Sequence, residues 1–457
     1  MSYKLSIVRN KMMKRIINIL ILLCCIASLS SCGNSTEERS RVLKIYNWAD
    51  YIDEDVLAEF PDWYKQQTGE DLRIIYQVFD INEIMLTKIE RGHEDFDVVC
   101  PSEYIIERML RKDLLLPIDR NFGHTPDYIP NVSPYIRHEL NKTSQPERQT
   151  EDYAVPYMWG TAGILFNKKF ITAEEAGTWD ILWDSKNRGK ILMKDSYRDA
   201  YGTAIIYVHA RELADSTVTV EQLMNDNSPQ AIALAEQRLK EMKPNIAGWE
   251  ADFGKEMMTK NKAWINFTWS GDAVWAIEEA DAVGVELDYT VPREGSNIWY
   301  DGWAIPKYAR NVKAASYFIN YLCQPDIALR NMDAIGYVSA VATPEIMEAK
   351  IDTTLDVHSD LSYFFGPLPG ADSLQIDPVQ YPDRCVVERC AMIRDFGDRT
   401  ELVLEMWSRV KGDNLNTGIV LLIFAVFGLL FIWLVYAKIR KYKQKRRHRL
   451  RRKRKRG

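Results

Sequence analysis

Histidine is scarce in this 457-residue chain: there are six, one of them inside a basic run at the C-terminus. No G-x-x-x-x-G-K-[ST], H-E-x-x-H or G-x-S-x-G stretch occurs. These absences exclude a phosphate-cradling loop, a zincin centre and a hydrolase nucleophile elbow as sequence readings. Cysteine is also sparse. Cys24 and Cys25 lie in an apolar leader and Cys32 directly follows it, leaving Cys100, Cys323, Cys385 and Cys390. No C-x-x-C pair or histidine cluster points to a metal. Four cysteines in an exported domain allow three full pairings, and spacing does not choose among them. There is no internal repeat, no low-complexity stretch and no obvious linker. The length implies two or three domains.

Acids are missing from both ends. The first 31 residues carry Lys4, Arg9, Lys11, Lys14 and Arg15 and no acid. Residues 438–456 hold fourteen Lys or Arg and no acid. The body between keeps all 64 acids against 40 bases, so the net charge of −5 conceals a strongly acidic core. That charge argues against nucleic acid as a partner and weakly for a cationic ligand.

The basic leader precedes an apolar run of about ten residues, which suits a secretory signal. It ends in Leu29-Ser30-Ser31-Cys32, which resembles the bacterial lipoprotein signal. Residues 1–31 are therefore expected to be removed and Cys32 lipidated, with 32–41 as a polar tether. Residues 417–437 carry no charge. Over about twenty residues they match a bilayer core of roughly 30 Å. Trp433 and Tyr436 sit near one end, and the basic tail 438–457 follows. The positive-inside bias places that tail in the cytoplasm and the body outside the inner membrane. The expected location is the cell envelope, with a periplasmic body.

Between Val42 and about Lys411 the pattern alternates strands and helices. "VLKIYNW", "LRIIYQVF", "FDVVC", "TAGILFN", "KILMKD", "AWINFTW" and "YTVPR" read as strands. "DEDVLAEF", "INEIMLTKIERG" and "EYIIERMLRK" read as helices, with Pro61 interrupting the first and Gly69 ending its segment. Alternation with short loops predicts βαβ units and a largely parallel sheet, an α/β class. In such sheets ligands bind beyond the carboxyl ends of strands. Five stretches there combine aromatic, carboxylate or hydroxyl side chains. They are Trp48, Asp50 and Tyr51; Ser102 and Tyr104; Ser196 and Asp199; Trp269 and Asp272; Trp299 and Asp301. Singly, each has a plainer reading: the tryptophans as core, Asp199 and Asp272 as helix caps, Ser102 and Tyr104 as turn residues. Paired carboxylates with aromatic walls also describe glycosidases, the enzyme alternative.

Several stretches occur together in one order: "YNWADYI", "FDVVCPSEY", "VPYMWGTAGILFN", "TWDILWDSKNRGKIL", "WSGDAVWA", "WYDGWAIP" and "IGYVSAVATPE". In that order and spacing the chain resembles the substrate-binding proteins of bacterial spermidine/putrescine ABC transporters, over about 43–411. The resemblance implies a two-lobed clamp with crossing hinge segments. Residues 42–158 and 300–345 would form lobe 1, and 159–299 and 346–412 lobe 2. It implies a polyamine ligand, an ABC permease and its ATPase as partners, no cofactor and no enzymatic activity. It carries ligand contacts onto Trp48, Asp50, Tyr51, Ser102, Tyr104, Asp199, Trp269, Asp272, Trp299, Asp301 and Tyr337. Two departures stand out. Ser196 lies where some spermidine-binding relatives have an acid, and Ile393 where they have an amide. Both lean toward putrescine. The C-terminal span and tail are outside the usual family pattern, and a polyamine sensor signalling through that span is the alternative.

Overall fold

The computed structural model describes residues 39–250, 253–412 and 424–436, with 438 and 440. The leader, Cys32 and nearly all of the basic tail lie outside these residues. The chain divides into two compact units, Met1–Thr400 and Glu401–Gly457.

In the first unit the long axis is an antiparallel pair. β5 (Ala154–Asn167) and β10 (Ser296–Pro306) are buried at every position. Such continuously buried strands need no alternation, because both faces are covered. Around them lie β1 (Val42–Trp48), β2 (Arg73–Phe79), β3 (Val98–Val99), β4 (Leu115–Leu116), β6 (Ile191–Lys194), β7 (Ile246–Glu250), β8 (Ile265–Trp269), β9 (Leu287–Thr290), β11 (Val338–Ser339) and β12 (Cys390–Ala391). The main order is β2-β1-β3-β10-β5-β8-β6-β7. β1 pairs β2 and β3 in parallel, and β6 pairs β7 and β8 in parallel. Every pairing that β5 makes, and each of β10's except that with β12, is antiparallel. The sheet is therefore mixed, not largely parallel. Local alternation predicts the two parallel clusters, but two strands of 14 and 11 residues return between them and reverse direction.

Each long strand serves both clusters. The first part of β5 and the last part of β10 lie beside β3 and β1. Ala162–Phe166 of β5 lie against β8. The long pair runs from one parallel cluster into the other.

Helix α1 (Glu54–Thr68) is capped by the Asp53 carboxylate, which accepts from the N–H groups of Asp55 and Val56, and stops at Gly69, φ 75°. It runs unbroken through Pro61, which was expected to interrupt it. Val56, Phe60 and Tyr64 bury one face, and tertiary packing holds the turn whose hydrogen bond the proline removes. The end of the expected tether is also packed: Arg39 donates to Asp95 and to Asp97, both at 2.9 Å. Cys100, Cys323, Cys385 and Cys390 are free thiols.

In the second unit, residues 424–436 are helical and carry exposed apolar side chains, including Phe424, Trp433 and Tyr436. No helix among the described residues is long and apolar enough to cross a membrane. The expected span 417–437 falls partly outside them.

Candidate functional site

Four of the five stretches singled out in the sequence sit where β1, β3, β6 and β8 end. The fifth does not. Trp299 and Asp301 lie inside β10, and a bulge between Asp301 and Gly302 offsets its register against β5. A bulge re-aims a side chain without ending the strand, which is how an acid reaches the site from mid-strand.

Asp301 is the centre of the first cluster. It is buried, and its Oδ2 accepts the Tyr51 hydroxyl at 2.8 Å. Its backbone forms an isolated antiparallel bridge with Ser102, which follows β3. Asp301 Oδ1 is buried without a hydrogen-bond partner among the described residues. Burial raises its carboxyl pKa to about 6, against the lowering effect of hydrogen bonds from Ser102 and Tyr51. Burial, and then the Asp301 charge, hold the Tyr51 phenol well above its ordinary value, so it remains a donor.

Rings enclose this carboxylate. Tyr337 packs edge-on to Tyr51, centroids 5.5 Å apart, and to Trp299 at 5.4 Å. Tyr337 is delivered by the helix Pro325–Ile335, which ends at left-handed Gly336. Two glycines make room for the rings. A Cβ on Gly160 would stand 2.7 Å from the Trp299 ring, and one on Gly271 would stand 2.3 Å from the Tyr337 ring. The Trp299 and Trp48 indole N–H groups are buried without acceptors among the described residues. Trp48 leans on Phe79, centroids 4.5 Å apart.

The second cluster surrounds Asp272, in the first turn of helix α2 (Ser270–Asp281). It is also buried, but both its oxygens meet cations. Lys194 Nζ lies 2.7 Å from Oδ2, and Lys255 Nζ lies 3.3 Å from Oδ1. Burial pushes its pKa up, yet Lys194 and Lys255 hold it below the ordinary carboxylate value. Lys194, only 2% exposed at its side chain, also faces Glu250 Oε1 at 3.3 Å and lies over the Trp269 ring, 4.6 Å from its centroid.

Asp199 lies in the first turn of the helix Tyr197–Val208, whose cap is Ser196 rather than Asp199. Asn297 donates to Asp199 Oδ1 at 3.0 Å. Burial raises its pKa, opposed by hydrogen bonds from Ser196, Asn297 and Trp269. Tyr104 is buried; its hydroxyl donates to Glu83 at 3.3 Å, and the Arg198 guanidinium lies 4.6 Å over its ring. Arg198 stacks on rings, most closely on Phe396 at 4.0 Å, and donates to the Arg394 carbonyl. Tyr197, after β6, donates to Glu83, after β2, at 2.6 Å.

The structure thus brings together Tyr51, Ser102, Trp299, Asp301 and Tyr337, with Trp269, Asp272 and Asp199 in a neighbouring group. Asp50 stands apart. It is exposed, with φ 49°, a left-handed turn position that aspartate tolerates. Ile393 is buried. Sequence reasoning missed Lys194, Glu250, Asn82 and Glu103. Asn82 donates to Ser102 at 3.0 Å, and Glu103, fully buried, accepts the Tyr300 N–H at 3.0 Å. The signal for Lys194 was present: a lysine closing the otherwise apolar strand "ILMK". A cavity of about 300 Å³ lined in part by Arg120, Arg137 and Glu151 contains none of these residues.

A two-lobed α/β body joined by long strands, with buried acids and rings between its sheet clusters, defines a clamp that binds small solutes. The profile of bacterial extracellular solute-binding proteins matches residues 62–349, and the chain belongs to that family. Among curated relatives, it is 28% identical over 376 residues to the spermidine/putrescine-binding periplasmic protein of Escherichia coli, covering 82% of this chain and 93% of that one. It is 29% identical over 316 residues to a putrescine-binding periplasmic protein of the same species, covering 66% and 80%. Among solved structures, it is similar to a putative spermidine/putrescine ABC transporter from Listeria monocytogenes. The TM-score is 0.64 and the identity 29%, covering 81% of this chain and 99% of that one.

Proposed function

We propose that this protein captures polyamines outside the inner membrane and delivers them to an ABC permease. One observation carries the reading: a buried carboxylate, Asp301, with one oxygen held by Tyr51, the other unpartnered, and the rings of Trp299 and Tyr337 nearby. A primary ammonium offers three donors and no acceptor. Taking it out of water is costly unless a carboxylate replaces its hydration. Indole and phenol faces shelter methylenes and attract cations by about 0.5–2 kcal/mol each. The names of the relatives agree with this chemistry and with a periplasmic location.

Closure of the lobes, with Tyr197 meeting Glu83, is the form a permease would recognise, and the ligand's differential affinity for it drives the shift. Cys32 lipidation and the apolar stretch 417–437 tether the body beside its permease. Putrescine is favoured over spermidine, because Ser196 and Ile393 offer no charge to a third nitrogen. Isothermal titration of the full chain with putrescine, spermidine and spermine tests the reading. Saturable heat is expected, largest in affinity for putrescine; no heat with any of the three would sink it. Membrane fractionation with and without residues 413–457 tests the tether.

A further inference from the structure

The two buried acids of the cleft are not equivalent, and Lys194 is the reason. Its stem leaves the last residue of β6 and its ammonium meets Asp272 at 2.7 Å, Glu250 at 3.3 Å and the Trp269 ring at 4.6 Å. Two carboxylates and an indole face form the surroundings that a buried alkylammonium ligand needs. Lys255 takes the other oxygen of Asp272. The Asp272 group adjoins the Asp301 cluster. Gly271, next to Asp272, lies under the Tyr337 ring. Gly160 lies against both Trp299 and Ser270, the neighbour of Trp269. Asp199 has its own neutral donors in Asn297 and Ser196. Among the described residues, Asp301 Oδ1 is a buried carboxylate oxygen without a hydrogen-bond partner.

We propose that Lys194 is a specificity determinant: its tethered ammonium fills the amine subsite built by Asp272, Glu250 and Trp269, so that the cleft buries a single ligand ammonium, at Asp301. The ligand class is then an amine with one primary ammonium to be desolvated, with the far end neutral or solvated. A mono-N-acylated diamine fits as well as the diamine itself. This rests on the amine-binding reading above, and the test separates the two.

Titration calorimetry of the full chain with putrescine and with N-acetylputrescine reads the second ammonium directly. The wild type is expected to bind the two within about threefold of each other, since Lys194 already occupies the subsite at Asp272 and Glu250. Lys194→Met uncovers Asp272 and the Trp269 face. It is expected to bind putrescine at least about tenfold more tightly than N-acetylputrescine. Glu250 retains the Gly254 N–H and the Asn266 amide in that variant. Should Lys194→Met not fold, the neutral pair Lys194→Met/Glu250→Gln gives the same reading. A wild type that prefers putrescine by tenfold or more overturns the inference while leaving amine binding intact. So does a ratio unchanged by both variants. A wild type that binds neither ligand overturns the amine reading itself.

Discussion

Asp301 and Asp272 are both buried aspartates close to Tyr337, and their electrostatics are opposite. Asp301 meets no cation among the described residues and its pKa rises to about 6. Asp272 is flanked by Lys194 and Lys255 and its pKa falls below the ordinary value. Burial acts on both in the same direction; the neighbouring charge decides the outcome. An acid left without its counter-ion costs stability in the empty protein and becomes the place where a ligand cation gains most. An acid already paired stabilises the fold and offers a ligand less.

The comparison is broken most forcefully at Asp272. Asp272→Asn leaves Lys194 and Lys255 without that charge and is expected to destabilise the protein by about 3–5 kcal/mol in urea unfolding at neutral pH. Asp301→Asn should do the reverse. A carboxyl raised from 3.8 to about 6 in the folded state favours folding below its unfolded pKa, and that contribution is lost as pH rises through about 6. Replacing it should therefore stabilise the ligand-free protein at pH 7.5 by about 2–3 kcal/mol, and calorimetry should show amine binding lost. If both variants shift stability in the same sense, the contrast between the two acids fails.

Smaller effects sharpen it. Tyr51→Phe removes the hydroxyl that donates to Asp301 and is expected to weaken amine affinity by about 1.5–3 kcal/mol, the worth of a hydrogen bond to a charged group. Amine affinity should also fall about tenfold per pH unit below about 6, as the Asp301 carboxylate is protonated, and level off above it. Titrations between pH 5 and pH 8 check this. The Asp301→Asn variant should show no binding at any pH in that range.

Much of the frame was legible in the sequence. The strands "VLKIYNW" and "AWINFTW", the glycine stop at Gly69 and the aromatic, acid and hydroxyl residues after β1, β3, β6 and β8 are local patterns, and a local pattern can be read along the chain. Pro61 misled because the residues that hold its helix are distant in sequence. Asp301 looked like a strand-end residue because a bulge in mid-strand leaves no mark in the hydrophobic pattern. Asp50 was grouped with its neighbours, yet its left-handed backbone turns it out to solvent.

The sequence by itself determined the α/β class, the strand-end chemistry and the acidic body, because these follow from period, composition and short-range order. Only the tertiary structure decided which acid is paired. Lys194 and Asp272 are far apart along the chain and meet because β6 and β8 are hydrogen-bonded neighbours in one sheet. A carboxylate's charge state depends on what lies within a few ångströms through space, and no pattern along the chain encodes that distance.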